Sequence, residues 1–317
     1  MDPDPITDVL RDLLVSGVAE WAPGAMSAPG RRATLVYAYP GGDSATVEAA
    51  LRVFSGPGQP RRGQRLTVVV LAAQPGDLGG RLGAGQAELP AEMNVYVVPG
   101  GFDRLPVALK AAGAAGAPLL AVLDASRGPA PDRAAVAAVT AGRPAEVLMV
   151  LGGPARTEMD HREVLSDAGF SLVGDVELIG TPDIPPRLLV FGTSSGKRLE
   201  AFKDGLWAVG GDSRVRYRDP HVPGEPLPLT PSPDPQPLGR RLLARLGTVG
   251  RSSVSELRQF TAGQTVYRAG DANRALLDLL GSGLVRRDPV DGRLGGDVVI
   301  ELVSPPVTPP GSAALVG

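Results

Sequence analysis

Apolar positions along the chain fall into short continuous runs that alternate with stretches of helical period. Residues 34–39 (TLVYAY) form one run. Pro40-Gly41-Gly42 breaks it. Asp43 or Ser44 can then cap a helix in which Val47, Ala50, Leu51 and Phe54 recur at i, i+3, i+4 and i+7. This spacing predicts a strand, a glycine turn and a helix, the first half of a βαβ unit in which a ligand meets the helix N-terminus. Residues 66–73 (LTVVVLAA) read as a strand buried on both faces. Strands are predicted again at 94–98, 119–123, 146–151, 171–179 and 187–192. Helices are predicted at 103–115, 132–140, 158–168 and 197–209, and 76–89 reads as a Gly-loaded helix or loop. Before all of these, 6–21 has an amphipathic pattern through Ile6, Leu10, Leu13, Leu14 and Val18, and a Gly/Pro/Ser connector fills 22–32. The alternation predicts a mostly parallel, doubly wound, Rossmann-like α/β domain over 1–210.

The pattern changes beyond residue 210. Prolines at 220, 223, 226, 228, 231, 233, 235 and 237 predict an extended linker over 211–239. Helical periods then resume. Leu242, Leu243 and Leu246 mark one helix. Val254, Leu257 and Phe260 mark a second, opened by Ser252/Ser253. Ala272, Ala275, Leu276 and Leu279 mark a third, capped by Asp271. Two strands, 284–288 and 297–302, flank a Gly-rich turn. Three helices and a hairpin give 240–303 the order of a winged helix-turn-helix, and 304–317 read as a disordered tail.

Composition narrows the chemistry. The chain has 317 residues and 43% hydrophobic content but only 4% aromatics, so its core is built from Ala, Val and Leu. Of 32 basic residues only Lys110, Lys197 and Lys203 are lysines, a bias that, with abundant Ala, Gly and Pro, suits a GC-rich bacterial genome. Net charge is −2, which excludes a chain that binds nucleic acid by its overall charge. There is no cysteine, so disulfides, thiolate catalysis and Cys-ligated metals are excluded together. His161 and His221 are the only histidines, and no metal site is expected. No signal-peptide core and no run of about 18 apolar residues occurs, so a cytoplasmic protein without a membrane span is expected.

Candidate site residues lie at the ends of the predicted strands. Tyr39, Pro40, Gly41 and Gly42 are placed to bind a cofactor, since glycines let backbone N–H groups approach an anion. The pattern Gly-Gly-x-x-Ala is not the dinucleotide fingerprint, and a plain strand-to-helix turn is an equal reading. The second strand ends Ala72-Ala73-Gln74-Pro75. Gln74 offers one neutral hydrogen bond where a ribose usually meets a carboxylate, and the first acid, Asp77, comes after the proline. Asp103 follows the third strand, where it can accept from an adenine amino group or cap the next helix. Asp124 ends the fourth strand, where a catalytic acid commonly sits and where a turn carboxylate is the alternative. In 240–303, ten arginines face seven acids, a net charge of +3. Arg258, Arg268, Asn273, Arg274, Arg286, Arg287 and Arg293 are the candidate nucleic-acid contacts. Asp271, Asp278, Asp288 and Asp291 dilute that patch, so a protein contact is the competing reading.

A family resemblance comes from the last third. FGTSSGKRLEAFKDGLW (191–207) resembles the late motif of the three-Cys-motif partner proteins, and 248–285 is similar to the winged helix that closes them. The resemblance implies a class I S-adenosylmethionine methyltransferase-like domain. It sets Tyr39–Gly42 at the family's Phe-Ala-Gly-Pro-Gly cofactor loop, Asp103 at its Gly-Asp-Phe and Asp124 at its Asp-Pro-Phe-Gly. Here the first loop is shortened, the second strand ends on Ala72-Ala73 without an acid, and Asp124 is followed by Ala125-Ser126 in place of Pro and an aromatic. Methyl transfer to a base amino group calls for an acceptor and a stacking aromatic. The expectation is therefore a diverged, non-catalytic methyltransferase-fold protein, without a cofactor, whose winged helix binds DNA, RNA or a protein partner. A working S-adenosylmethionine-dependent methyltransferase acting on nucleic acid or another macromolecule is the alternative, and a purely structural adaptor is a third reading.

Overall fold

The continuous apolar runs become the inner strands of one sheet. The computed structural model describes residues 4–39, 44–56, 59–73, 89–209, 214–222, 224 and 226–303. The expectations for Pro40, Gly41, Gly42, Gln74, the 76–89 segment and the tail lie outside these residues, apart from Leu89. Strands β1 (Arg32–Ala38), β2 (Arg65–Ala72), β3 (Met93–Pro99), β4 (Leu119–Ala125) and β5 (Ala145–Leu151) are mutually parallel. β6 (Leu172–Ile179) and β7 (Arg187–Thr193) come next, and β7 runs antiparallel to both β5 and β6. The sheet order is β3-β2-β1-β4-β5-β7-β6, extended at the β6 edge by β8 (Arg216–Arg218) and β9 (Leu227–Pro228).

Helices cover both faces. α1 (Pro5–Met26), α2 (Ser44–Arg52) and α7 (Gly196–Ala208) lie on one side. α3 (Leu105–Ala111), α4 (Arg133–Val139) and α6 (His161–Ala168) lie on the other, after a single turn, α5 (Ala155–Glu158). Alternate positions of each strand feed two cores. Val36, Val69, Ala121 and Val147 pack under α3, α4 and α6, while Leu35, Tyr37, Val68 and Val122 pack under α1 and α2. Caps set where several helices begin. Asp4, Asp132 and Asp160 accept backbone N–H groups at 3.0, 2.7 and 3.0 Å, as N-cap carboxylates do.

Four sequence expectations change. β4 runs two residues past 123 and takes in Asp124, in register with Val150, as its next-to-last residue. The helix expected over 103–115 is a 3-10 turn at Phe102–Arg104 followed by α3, because Pro106 sits at its first turn and Gly113 has a positive φ. The helix over 6–21 reaches Met26. The proline-rich 211–239 stretch, expected to be a linker, carries two strands and the start of a helix. No proline precedes 220 there, so Val215 and Tyr217 alternate inward and Arg216 and Arg218 outward. The Tyr217 hydroxyl donates to the Leu206 carbonyl at 2.8 Å and Arg218 pairs with Glu177 of β6. Pro228 is tolerated because β9 is an edge strand.

The chain divides into two compact units, Met1–Pro233 with Gly263–Val266 and Asp234–Ala262 with Tyr267–Gly317. The second holds α8 (Gln236–Val249), β10 (Arg251–Ser253), α9 (Val254–Gln264), α10 (Asp271–Gly281), β11 (Val285–Asp288) and β12 (Val299–Leu302), with the last residues of α9 counted in the first unit. β10 and β11 flank β12, both antiparallel to it. Leu238, Leu242 and Leu246 of α8 are buried, as are Leu257, Ala272, Ala275, Leu276 and Ile300. Ser252, Ser253 and Glu256 form a reciprocal cap at the start of α9, with Ser253 N–H donating to Glu256 at 2.8 Å and Glu256 N–H to Ser253 Oγ at 3.2 Å.

Candidate functional site

The strand order reverses between β1 and β4, and in open α/β sheets ligands bind at that switch point, beyond the strand carboxyl ends. Ala38 is opposite Leu123, so Tyr39 and Asp124 occupy adjacent rows there. Asp124 is half-buried and, with Thr7, Tyr37, Thr46, Ser126 and Arg187, lines a pocket under α1 and α2. Its Oδ1 accepts the Ser126 N–H at 2.9 Å, a local turn that fixes the carboxylate. Arg187 is committed within the same wall, pairing with Asp4 and donating to Thr7 Oγ1 at 2.9 Å. The tight turn after Asp124 is held against β5. The Gly152 N–H donates to Ala125 O at 3.2 Å, and a Cβ at Gly152 would fall 2.4 Å from Ser126 O.

The other proposed cofactor contacts are less concentrated. The Tyr39 ring is buried and packs on Tyr37, with centroids 5.2 Å apart. Its N–H donates to Leu71 O at 2.9 Å, which ties β1 to β2 at the sheet end. Asp103 lies in the 3-10 turn after β3 with 69% of its side chain exposed, and Arg104 Nε lies 3.4 Å from Oδ2. Arg104, not Asp103, precedes α3. At the end of β2, Ala72 is buried and Ala73 follows it. S-adenosylmethionine carries a ribose diol that a carboxylate grips best, and the described residues at the end of β2 supply none.

In the second unit the proposed contacts are drawn together but largely engaged with one another. Arg268 and Arg274 both bond Asp271, whose side chain is 4% exposed, at 3.1 and 2.5 Å. Burial alone would raise that carboxyl, but the bonds and charges of the two arginines outweigh it and hold it below the usual range. Arg258 Nε donates to Asn273 Oδ1 at 3.0 Å. Arg286 Nε donates to Glu301 at 2.6 Å. Arg287 donates to the carbonyls of Pro289, Asp291, Gly292 and Arg293 at 2.9 to 3.2 Å, which makes it the brace of the β11–β12 turn. Arg293 is exposed beside it.

Among the described residues, a dense titratable cluster forms that the sequence patterns do not single out. Asp175, on β6, is buried with 2% of its side chain exposed. Both histidines reach it, each with Nε2 at 2.8 Å from Oδ2, and Arg162 donates twice at 2.9 Å. Burial opposes ionisation of Asp175, but the donors from His161, His221 and Arg162 prevail and hold its pKa far below the ordinary carboxylate range. Arg162 also donates to Gly263 O at 3.1 Å, Lys203 Nζ to Thr265 O at 2.6 Å, and Trp207 Nε1 to Val266 O at 3.1 Å. These three bonds fix residues 263–266 within the first unit. Burial lowers the Lys203 ammonium to about 7. Two signals of the cluster are nonetheless present in the sequence: an acid at an inward strand position, and a lysine spaced with Leu199 and Leu206 on one helix face. Arg162 Nε also donates to His221 Nε2 at 3.1 Å, and no group of three or more metal-ligating side chains that could hold a metal ion occurs among the described residues. No helix among them is long and apolar enough to cross a membrane.

No family model matches the chain, and no curated protein matches it. Among solved structures it is similar to an rRNA methylase from Streptococcus thermophilus, at 12% identity and a TM-score of 0.35, over 62% of this chain and 99% of that one. It is also similar to a candidate methyltransferase from Thermobifida fusca YX, at 14% identity and a TM-score of 0.35, over 59% of this chain and 81% of that one.

Proposed function

We propose that this chain is a diverged methyltransferase-fold protein that does not transfer methyl groups, and that its second unit is a winged helix-turn-helix that binds nucleic acid. The observation that carries the first part is the end of β2, where buried Ala72 and then Ala73 stand in place of a ribose-binding acid. The turn at Asp124 points the same way, since its carboxylate is bonded to Ser126 N–H and Ala125-Ser126 offer no ring to stack a base. The order helix, short strand, two helices and hairpin supports the winged-helix reading, as does the resemblance of 191–207 and 248–285 to the three-Cys-motif partner proteins. Fold alone does not assign activity, so the reading rests on these site residues.

A working S-adenosylmethionine-dependent methyltransferase is the second reading, favoured by Asp124 lining a pocket with Tyr37 at the sheet's switch point. Calorimetric titration with S-adenosylmethionine separates the two. No saturable heat is expected, and micromolar binding abolished by Asp103→Ala would overturn the proposal. A protein contact is favoured by Leu277 and Leu284, exposed at 56% and 48%. Retention of a fixed protein partner, with no DNA or RNA bound at low salt, would support it against the nucleic-acid reading.

A further inference from the structure

The positive excess of the second unit is not where a recognition helix would use it. Around α10, Arg268 and Arg274 are matched by Asp271 and Asp278. The outward crest of that helix is Asn273, Arg274, Leu277 and Gly281, and Arg274 is bonded back to Asp271. Between Val285 and Leu302, three arginines meet four acids, and Arg287 is used up bracing the turn. By contrast residues 236–251 hold Arg240, Arg241, Arg245 and Arg251 and no acid.

Three of these side chains project from α8, and Arg251 opens β10 directly after it. α8 buries Leu238, Leu242 and Leu246, so Arg240 points away from that stripe, while Arg241 and Arg245, one turn apart, flank it. Arg240, Arg245 and Arg251 are exposed. The guanidinium carbons of Arg241 and Arg245 lie 5.8 and 5.7 Å from the centroid of the Phe260 ring, which holds both over α9. Two acids approach this surface. Glu256 is committed to the cap of α9, and Glu301, opposite Arg251 in the β10–β12 register, is bonded to Arg286. The arginines still outnumber them, and a planar guanidinium matches a phosphodiester oxygen pair.

We infer that nucleic acid is held by its phosphates on the outer face of α8 and β10, through Arg240, Arg245 and Arg251, and not on the crest of α10. The inference rests on the nucleic-acid reading of the second unit and names the face that reading uses. Binding there is to backbone charge, so it carries little sequence preference.

The test is fluorescence anisotropy of the full chain with a short labelled DNA duplex and an RNA hairpin, across a range of salt. The triple variant Arg240→Gln, Arg245→Gln, Arg251→Gln is expected to weaken binding at low salt at least about tenfold. It should also reduce the slope of log affinity against log salt by about 3, one unit for each lost phosphate contact. Asn273→Ala with Arg293→Gln is expected to change affinity by less than about twofold, as a non-contacting pair should. Arg240→Glu alone, at an exposed position, repeats the loss without touching the Phe260 contact. If the triple variant binds as the parent does while the Asn273/Arg293 pair loses binding, the inference falls and the nucleic-acid reading stands. If the parent binds neither probe, both fall. If it binds polyglutamate in place of nucleic acid, the face serves an acidic protein and the inference falls.

Discussion

Replacing Asp175 with Asn tests whether the buried cluster on β6 anchors the first unit. The carboxylate is 2% exposed and accepts from His161, His221 and twice from Arg162. Asn keeps the volume but turns one acceptor into a donor that faces other donors. It also leaves the Arg162 guanidinium buried to three quarters without its counter-charge. Breaking one side of a buried pair of this kind costs about 3–5 kcal/mol. With a urea m-value of about 3 kcal/mol/M, the midpoint should fall by about 1 M or more. Both tryptophans, Trp21 and Trp207, are buried in the first unit, so their fluorescence reports that unit alone. The pH dependence supplies an independent check. The folded carboxyl titrates far below its unfolded value of about 3.9, so the unfolded chain takes up the proton first as the solution is acidified. The contribution of Asp175 is therefore complete above the unfolded pKa and is lost as pH falls through about 4 and below. The parent should lose stability over that window and Asp175→Asn should lose less. A midpoint shift under about 0.3 M, or superimposable acid limbs for the two proteins, would show that the cluster is only loosely formed.

Three further outcomes are expected. Burial holds the Lys203 ammonium at about 7, below its unfolded value, so stability should rise between about pH 7 and 10 as the unfolded chain alone stays protonated, and Lys203→Met should flatten that rise in urea midpoints taken at both ends. Parallel profiles would refute the assignment. Gly152→Ala drives a methyl group to 2.4 Å from Ser126 O, a backbone atom, and should cost about 1–3 kcal/mol, read as a lower Tm; an unchanged Tm would mean that the turn after Asp124 yields freely. Asp271→Asn removes the charge shared by Arg268 and Arg274 and should cost about 1–3 kcal/mol, read as faster amide exchange across α10, with unchanged exchange counting against the pairing.

The strands legible in the sequence are those whose environment is uniform. β1, β2 and β4 are apolar on both faces because helices cover both sides of a parallel sheet, and a run such as LTVVVLAA carries that signature without help from the rest of the chain. Period alone locates α7, α9 and α10 for a similar reason, since one buried stripe repeats every three or four residues. Strands β8 and β10 escape such a reading because β6 and β12, with which they pair, are distant in sequence, and β9 is too short to carry a pattern. Nothing local tells Tyr217 that Leu206 O and the edge of β6 await it. The proline density beyond 220 hides a segment whose only requirement is that its prolines fall on an edge.

The candidate site divides along the same line. The sequence by itself determined the absence of thiol chemistry, the alternation that builds the sheet, the Ala72-Ala73 step at the end of β2 and the net charge of the last third, because each is a property of residue type or of near neighbours. Only the tertiary structure decided which charges remain available. It gathered His161, Arg162, Asp175 and His221 from three separate elements, paired Arg268 and Arg274 with Asp271, and laid Arg241 and Arg245 of α8 over Phe260. Charge is counted along the chain, but neutralisation depends on distances of a few ångströms between residues that lie tens of positions apart.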